Sequence, residues 1–195
     1  MAMVVLGMAV GTGSTAFDDW ALRGMHAVFG PDPEWMLYFS WAVPMVLTLA
    51  VAVTVALVRR RPRLALVVAL CPLVSVMASR ALKPLFGRYK GDDLAYPSGH
   101  TTVVLTVLAM LVLAVGVSLW LVLLTSAWAV IGGLSMATND LHYLTDNIGS
   151  ALLASSTICL AILAAGPQAV SRAAARPAAR PENTQPPRNV PSSDR

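Results

Sequence analysis

The chain has 195 residues and a formal net charge of +4, with 56% hydrophobic and only 12% charged residues. Soluble domains average roughly 45–50% apolar and about 25% charged residues. So few charges cannot cover a water-facing surface, and the mean hydropathy of +0.67 agrees with that. The composition excludes an ordinary soluble domain and predicts an integral membrane protein, with membrane lipids and not nucleic acid as its partners.

Apolar runs of about 20 residues predict five membrane-spanning helices. In chain order they cover residues 35–58, 64–82, 101–117, 118–137 and 147–165. Residues 1–11 are apolar but too short to cross alone, and residues 17–29 suit a short interfacial helix that contains His26. We therefore predict an all-α polytopic bundle of about six helices, of which the first is short or truncated.

Three regions divide the predicted chain. Residues 1–34 hold the short apolar segment and an external loop, and residues 35–165 form the transmembrane core. Residues 166–195 are rich in Pro, Ala and Arg, which predicts a disordered tail. The two cysteines, Cys71 and Cys159, lie in apolar runs, and we expect both to be small buried hydrophobic residues.

Basic residues predict the orientation of the spans. Arg59, Arg60, Arg61 and Arg63 fill the link between the first two full spans, and the tail carries five more arginines. The positive-inside rule places the link and the tail in the cytoplasm. Residues 80–100 and 139–147 then face outward, which predicts a multi-pass protein of the cell membrane with an extracytoplasmic site.

These two outward segments, "RALKPLFGRYKGDDLAYPSGH" and "NDLHYLTDN", hold most of the polar chemistry. Pro97 and Ser98 suit the start of a helix, with Ser98 as N-cap and His100 in the first turn. Free N–H groups at such a start attract anions. Three basic residues precede it: Lys83, Arg88 and Lys90. Together they predict a phosphate site, whereas the basic residues alone would suit anchoring to lipid headgroups.

His142 and Asp146 are four residues apart, so on a helix they would share one face. A carboxylate that holds one ring nitrogen leaves the other nitrogen free to act. Such a histidine can serve as base, nucleophile or metal ligand. A metal site needs three or four ligands, and His100, His142 and Asp146 would only just supply three.

The motifs resemble the three signatures of the type-2 phosphatidic acid phosphatase superfamily, which includes the vanadium haloperoxidases. The matching residues are Lys83 with Phe86-Gly87-Arg88, then Pro97-Ser98-Gly99-His100, then Ser135 with His142-Tyr143 and Asp146. The resemblance covers about residues 35–165. It implies a membrane phosphatase with a six-helix core that works without a metal or another cofactor.

The resemblance also implies a role for each catalytic residue. His142 would attack phosphorus and form a phosphohistidine, and Asp146 would orient it. His100 would protonate the departing lipid oxygen and then help to activate water. The phosphate oxygens would be held by Lys83 and by the backbone amides of Ser98 and Gly99.

Two positions depart from the family pattern. Lys90-Gly91 stand where an Arg-Pro pair is usual, and lysine lacks the planar fork that grips phosphate bidentately. Met136 follows Ser135 where an arginine is usual, and methionine cannot donate to an anion. We expect Arg80, one helical turn before Lys83, to compensate, with Arg88 or Asn139 as alternatives.

The sequence thus predicts hydrolysis of a lipid phosphate or diphosphate of the polyprenyl, phosphatidylglycerophosphate or phosphatidate type. The alternative is a catalytically degenerate relative that binds lipid phosphates without turnover, which Met136 favours. A haloperoxidase is disfavoured because the chain has no region with soluble composition. Nothing in the sequence predicts the oligomeric state.

Overall fold

The computed structural model describes residues 1–166, so the predicted tail from residue 167 onward lies outside the described residues. The described chain forms helices α1 (Ala2–Val10), α2 (Ala16–Phe29), α3 (Glu34–Leu37), α4 (Ala42–Val58), α5 (Pro62–Phe86), α6 (Gly99–Val115), α7 (Leu119–Thr138) and α8 (Leu144–Ala165). A small antiparallel hairpin, β1 (Tyr89–Lys90) with β2 (Asp93–Leu94), connects α5 to α6. The architecture is an all-α bundle, as the sequence predicts.

Four helical segments are long and apolar enough to cross a membrane. They are Glu34–Val58, Pro62–Phe86, Leu119–Thr138 and Leu144–Ala165. Helix α6 is apolar but has 17 residues, and its length of about 26 Å is less than the roughly 30 Å of a hydrocarbon core. Helix α1, with nine residues, is too short to cross. The helices agree with a multi-pass membrane bundle, but the predicted count of about six spanning helices is not confirmed.

The first predicted span is not one continuous helix. A 3₁₀ turn over Tyr38–Ser40 and the extended backbone of Trp41 separate α3 from α4. Trp128 of α7 donates its indole N–H to the Phe39 carbonyl oxygen at 2.8 Å. The rings of Phe39 and Trp128 also meet edge to face, with their centroids 5.9 Å apart. Helix α7 therefore satisfies a backbone group at the break.

Helix α6 lies at the centre of the bundle, where it contacts α4, α5, α7 and α8. The largest apolar cluster joins α6 to α4, α5 and α8 through residues such as Ala52, Val68 and Met110. Small residues in such a cluster let helix backbones approach closely. Cys71 belongs to this cluster, as predicted, but the prediction for Cys159 was wrong because it is exposed on α8. An apolar side chain on the lipid side of a membrane helix needs no protein cover.

The arginine-rich link between α4 and α5 lies at the end of the bundle where α6 and α8 finish. Arg59 donates to the carbonyl oxygens of Ala114, at 3.1 Å, and of Val115. Arg63 Nε donates to the carbonyl oxygen of Ala164 at 2.9 Å. The last carbonyls of a helix lack partners within it and form the negative end of its dipole, so cations stabilise them. The N-termini of α6 and α8 consequently lie together at the opposite end.

Helix α2 occupies the segment that was predicted as a short interfacial helix. Its Ala21 and Met25 pack against Ala137 of α7. His26, predicted as a simple interfacial residue, contacts the end of α7, with its Nε2 atom 3.0 Å from the Thr138 carbonyl oxygen. Helix α2 is therefore held against the same end of the bundle that carries the starts of α6 and α8.

Candidate active site

The start of α6 is fixed by two neighbouring helices. Ser98 is the N-cap residue, and its hydroxyl oxygen accepts the Thr101 N–H at 3.4 Å. The Ser98 carbonyl oxygen accepts the hydroxyl of Ser150 in α8 at 2.8 Å. Ser79 of α5 donates to the carbonyl oxygen of Pro97 at 3.1 Å. These contacts hold the turn that the sequence predicted as a helix start.

A buried hydrogen-bond chain joins the starts of α6 and α8. The Thr101 hydroxyl donates to Asn147 Oδ1 at 2.7 Å, and Asn147 Nδ2 donates to the Gly133 carbonyl oxygen of α7 at 2.8 Å. Thr101 directly follows His100, whose side chain is exposed, and Asn147 directly follows Asp146. His100 and Asp146, two of the three predicted catalytic residues, therefore lie at the same end of the bundle, each adjacent in sequence to a residue of this contact.

His142 lies in the turn before α8 and not on the helix, which corrects the prediction that it shares a helix face with Asp146. Helix α8 begins at Leu144, and the His142 N–H donates to the Met136 carbonyl oxygen at 2.9 Å. The ring Nδ1 atom is buried, 3.7 Å from Asp146 Oδ2, and has no hydrogen-bond partner among the described residues. Catalytic hydrogen bonds are often long before substrate binds. The ring and the carboxylate are neighbours in spite of the different backbone geometry.

Asp146 is completely buried, and both of its carboxylate oxygens are held. Oδ1 accepts a hydrogen bond from Arg88 Nη1 at 2.8 Å. Oδ2 accepts the Tyr143 N–H at 2.9 Å, because Asp146 occupies the third position of α8 and its side chain turns back over the first turn. Oδ2 is also the oxygen nearest to His142, so the orientation of this carboxylate is set by its other partners.

Arg88 was predicted to bind phosphate, but its donors are engaged inside the protein. Its side chain is fully buried and forms ion pairs with Asp18 and Asp146, each at 2.8 Å. It also donates to the Thr145 hydroxyl at 2.6 Å and twice to the Gly13 carbonyl oxygen, at 3.1 and 2.9 Å. A guanidinium group has five N–H donors. These five contacts use them, so none remains for a ligand.

Asp18 of α2 is the residue of this cluster that the sequence did not reveal. It accepts the Thr145 N–H at 2.9 Å and both the N–H and the hydroxyl of Thr15, at 3.0 and 2.8 Å. Burial alone would raise the pKa of Asp18, but these hydrogen bonds and that from Arg88 outweigh it, so the pKa lies below its ordinary value. Only the Thr15-to-Asp18 spacing, typical of a capped helix start, marked it in the sequence.

Lys90 is also engaged inside the protein. Its Nζ atom is 2.8 Å from Asp140 and donates to the His142 carbonyl oxygen at 3.2 Å. The Lys90 Nζ atom lies 4.5 Å from the centroid of the Tyr143 ring. Burial raises the pKa of Tyr143. The predicted phosphate ligand therefore ties the hairpin to the turn that carries His142.

The other predicted phosphate ligands are more available. Lys83 is half-buried at the end of α5 and donates to the Leu94 carbonyl oxygen. Arg80 is exposed one turn earlier and has no ion-pair partner within residues 1–166. Over the same residues the backbone N–H groups of Ser98 and Gly99 have no hydrogen-bond acceptor. Unlike Arg88 and Lys90, these four predicted donors form no ion pair among residues 1–166.

Tyr96 supports the start of α6 from below. Its ring is fully buried and meets Phe86 edge to face with their centroids 4.8 Å apart. It also packs against Gly149 of α8 and Gly7 of α1, where an added Cβ atom would lie 2.3 and 2.6 Å from the ring. Burial, followed by the negative charge of Asp146, raises the pKa of Tyr96 to about 12. The short helix α1 thus helps to hold Tyr96 in place beside the start of α6.

A cavity of about 320 Å³ lies beside His142, between α2 and the turn before α8. Its polar lining comes from Ser14, Asp18, Asp19, Lys90, Asp140, His142 and Tyr143. His100 and Lys83 do not line it. Among residues 1–166, no three His, Cys, Asp or Glu side chains are grouped so that they could hold a metal ion.

Comparison of the chain with models of protein families, with curated proteins and with solved structures finds no match. The resemblance to type-2 phosphatidic acid phosphatases therefore depends on the motif residues alone. His100, His142 and Asp146 all belong to the end of the bundle opposite the arginine-rich link.

Proposed function

We propose that the chain is an integral membrane phosphatase that hydrolyses a lipid phosphate or diphosphate through a phosphohistidine intermediate. The observation that carries this proposal is the contact of 2.7 Å between Thr101 and Asn147. It joins the capped start of α6, which bears His100, to the start of α8, beside His142 and Asp146. An acid, a nucleophile and free backbone N–H groups at the polar end of an apolar bundle suit a substrate with a phosphate head and a lipid tail.

In the first half of the proposed reaction, the Nε2 atom of His142 attacks phosphorus. A nitrogen–phosphorus bond forms, the bond from phosphorus to the leaving oxygen breaks, and the bonding electrons stay on that oxygen. His100 gives this oxygen a proton, so the lipid leaves as an alcohol or, from a diphosphate, as a monophosphate. The Asp146 carboxylate stabilises the positive charge that develops on the His142 ring.

In the second half, water attacks the phosphorus atom of the intermediate, and His100 accepts a proton from this water. The nitrogen–phosphorus bond breaks, inorganic phosphate leaves, and His142 is restored. Donors aimed at the phosphate oxygens would stabilise both transition states. We assign this role to Lys83, Arg80 and the N–H groups of Ser98 and Gly99, because Arg88 and Lys90 are paired with carboxylates.

The decisive experiment measures phosphate release by the purified protein from farnesyl diphosphate, phosphatidate and phosphatidylglycerophosphate. Quenching during turnover in alkaline detergent, which preserves the acid-labile nitrogen–phosphorus bond, should trap phosphate on the wild type but not on His142→Ala. His26→Ala is the matched control, because the one hydrogen bond of this third histidine's ring among the described residues goes to the end of α7. Failure to release phosphate from any of the three lipids, with none trapped, would refute the proposal.

We further propose that the site faces away from the cytoplasm. The arginines of the α4–α5 link lie at the opposite end of the bundle, and positive residues favour the cytoplasmic side. In a variant without native cysteines, Asp92→Cys should react with an impermeant thiol reagent in whole cells, and Arg60→Cys should not. Equal reaction at both positions would contradict this orientation.

Binding without turnover is the second candidate function. It is favoured by the ion pairs of Arg88 and Lys90, which remove two predicted ligands from the phosphate site. A degenerate protein of this kind would bind vanadate or phosphatidate with a measurable Kd and release no phosphate. Release by the wild type that is lost in His142→Ala would exclude this alternative.

A further inference from the structure

A buried chain of charges connects α2 to the His142–Asp146 pair. Arg88 lies between two carboxylates, with one guanidinium nitrogen 2.8 Å from Asp18 and another 2.8 Å from Asp146. The side chains of all three residues are at most 2% exposed. Buried ion pairs contribute little net stability compared with well-packed apolar side chains. Net stability alone would therefore not explain why this cluster is ionic.

This ion cluster of Asp18, Arg88 and Asp146 determines the orientation of the Asp146 carboxylate beside His142. The backbone contact from Tyr143 holds Oδ2 alone. A carboxylate held at one oxygen can turn about its last side-chain bond, which would carry Oδ2 out of line with the ring. Arg88 holds Oδ1 and removes that freedom.

Asp18 in turn fixes Arg88 from the opposite side. It also accepts the Thr145 N–H at 2.9 Å and the Thr145 hydroxyl at 3.0 Å, and so binds α2 to the first turn of α8. By taking part of the positive charge of Arg88, Asp18 leaves Asp146 a stronger negative field at the His142 ring. The low pKa of Asp18 keeps this carboxylate ionised at neutral pH.

We propose that Asp18 is a positioning residue, which acts through Arg88 to set the orientation and the charge of Asp146 beside His142. In this arrangement α2 is an integral part of the site, although it contributes no residue that touches the reacting atoms. The inference rests on the proposed phosphatase function, and it specifies which part of the fold makes the predicted nucleophile competent.

The test compares Asp18→Asn with two control variants in the purified full-length protein. Asparagine keeps the shape of the side chain and its carbonyl acceptor but removes the charge. Asp32→Asn removes a carboxylate from the exposed link after α2, at a positive φ that asparagine tolerates. His26→Ala removes the hydrogen bond between α2 and the end of α7 and leaves the ion cluster intact.

Two quantities are measured for each variant. The first is kcat and KM for farnesyl diphosphate, or for phosphatidate if that is the lipid hydrolysed. The second is the ring nitrogen resonances of His142 in protein labelled with ¹⁵N-histidine, identified by their loss in His142→Ala. We expect Asp18→Asn to lower kcat by about 10- to 100-fold, the range expected for misplacement of catalytic groups, with KM changed less than about twofold. The His142 resonances should shift in the same variant, and both controls should match the wild type.

Unchanged kcat and unchanged His142 resonances in Asp18→Asn would overturn the inference. An equal loss in His26→Ala would also overturn it, because docking of α2 alone would then account for the effect. If Asp18→Asn does not fold, Thr145→Val replaces it, since this change removes the hydroxyl between Arg88 and Asp18 with little change of shape. If the wild type releases no phosphate, the proposed function fails, and the resonances alone decide whether Asp18 positions His142.

Discussion

Replacing Arg88 with methionine removes the guanidinium group from the buried cluster and leaves two carboxylates behind. Asp18 and Asp146 lose the partner that lies 2.8 Å from each of them. The Gly13 carbonyl oxygen and the Thr145 hydroxyl lose the hydrogen bonds that Arg88 donates to them. Removing one partner of a buried ion pair lowers stability by about 3–5 kcal/mol. For a chain of this size, 1 kcal/mol corresponds to about 2–4 °C in Tm. We therefore expect Arg88→Met to melt about 6–20 °C below the wild type.

The native cysteines supply the assay for this prediction. Cys71 is buried and Cys159 is exposed, so in a Cys159→Ser background a thiol-reactive fluorophore reports unfolding through Cys71 alone. Arg23→Met is the control, because it removes the same charge from the exposed face of α2 and should change the free energy of unfolding by less than about 0.5 kcal/mol. If Arg88→Met melted within about 2 °C of this control, the two carboxylates left without their partner would not destabilise the fold, and the reasoning would be wrong.

Three further predictions concern pH, packing and proton transfer. The pKa of Asp18 lies below its ordinary value of 3.8, so the stability that its charge contributes is complete above that pH and is lost as pH falls through the folded-state pKa. The Tm difference between wild type and Asp18→Asn should therefore narrow in acid. A Tm difference that stays constant with pH would contradict this prediction. Gly149→Ala should lower the free energy of unfolding by about 1–3 kcal/mol, because the added methyl group would meet the Tyr96 ring. The control Gly24→Ala, in open space on α2, should raise the free energy of unfolding by up to about 1 kcal/mol. Equal midpoints of the two variants in a urea titration in detergent would refute this packing. His100→Ala should reduce kcat more for alkyl than for aryl phosphates, since basic leaving groups need the proton most, and equal losses would exclude His100 as the acid.

The local features of the fold were the ones that the sequence could predict. Ser98 as a helix N-cap followed from a proline and a small hydroxyl residue before an apolar run, and no distant residue is needed to form that cap. The break at Trp41 was missed because residues 35–58 are apolar throughout, and hydropathy does not register a change in backbone dihedral angles. The exposure of Cys159 was missed because lipid-facing and core-facing residues of a membrane helix have similar composition.

The candidate site shows the same division between local and long-range information. The spacing of His142 and Asp146 correctly brought the two side chains together, although the helix starts after His142. Arg88 was assigned to a phosphate ligand because it lies with Lys83 and Lys90 in one short basic segment before a helix start. Its burial depends on Asp18 and Thr145, which are 70 and 57 residues away along the chain. No local pattern reports such a partner, so the role of Arg88 needed the three-dimensional structure.

The contacts of Asp18 also constrain the order in which the protein can be made. Asp18 and Thr145 are separated by 127 residues, and at about 5–20 residues per second a ribosome needs roughly 6–25 s to add them. Throughout that interval the α2 carboxylate has neither its Thr145 partner nor the companion carboxylate of Asp146. Helix α2 can pack on α7 earlier, but it can complete its buried contacts only after α8 has emerged and inserted. A chain that stalls before α8 therefore lacks the contacts between Asp18 and Thr145 that distinguish the completed bundle.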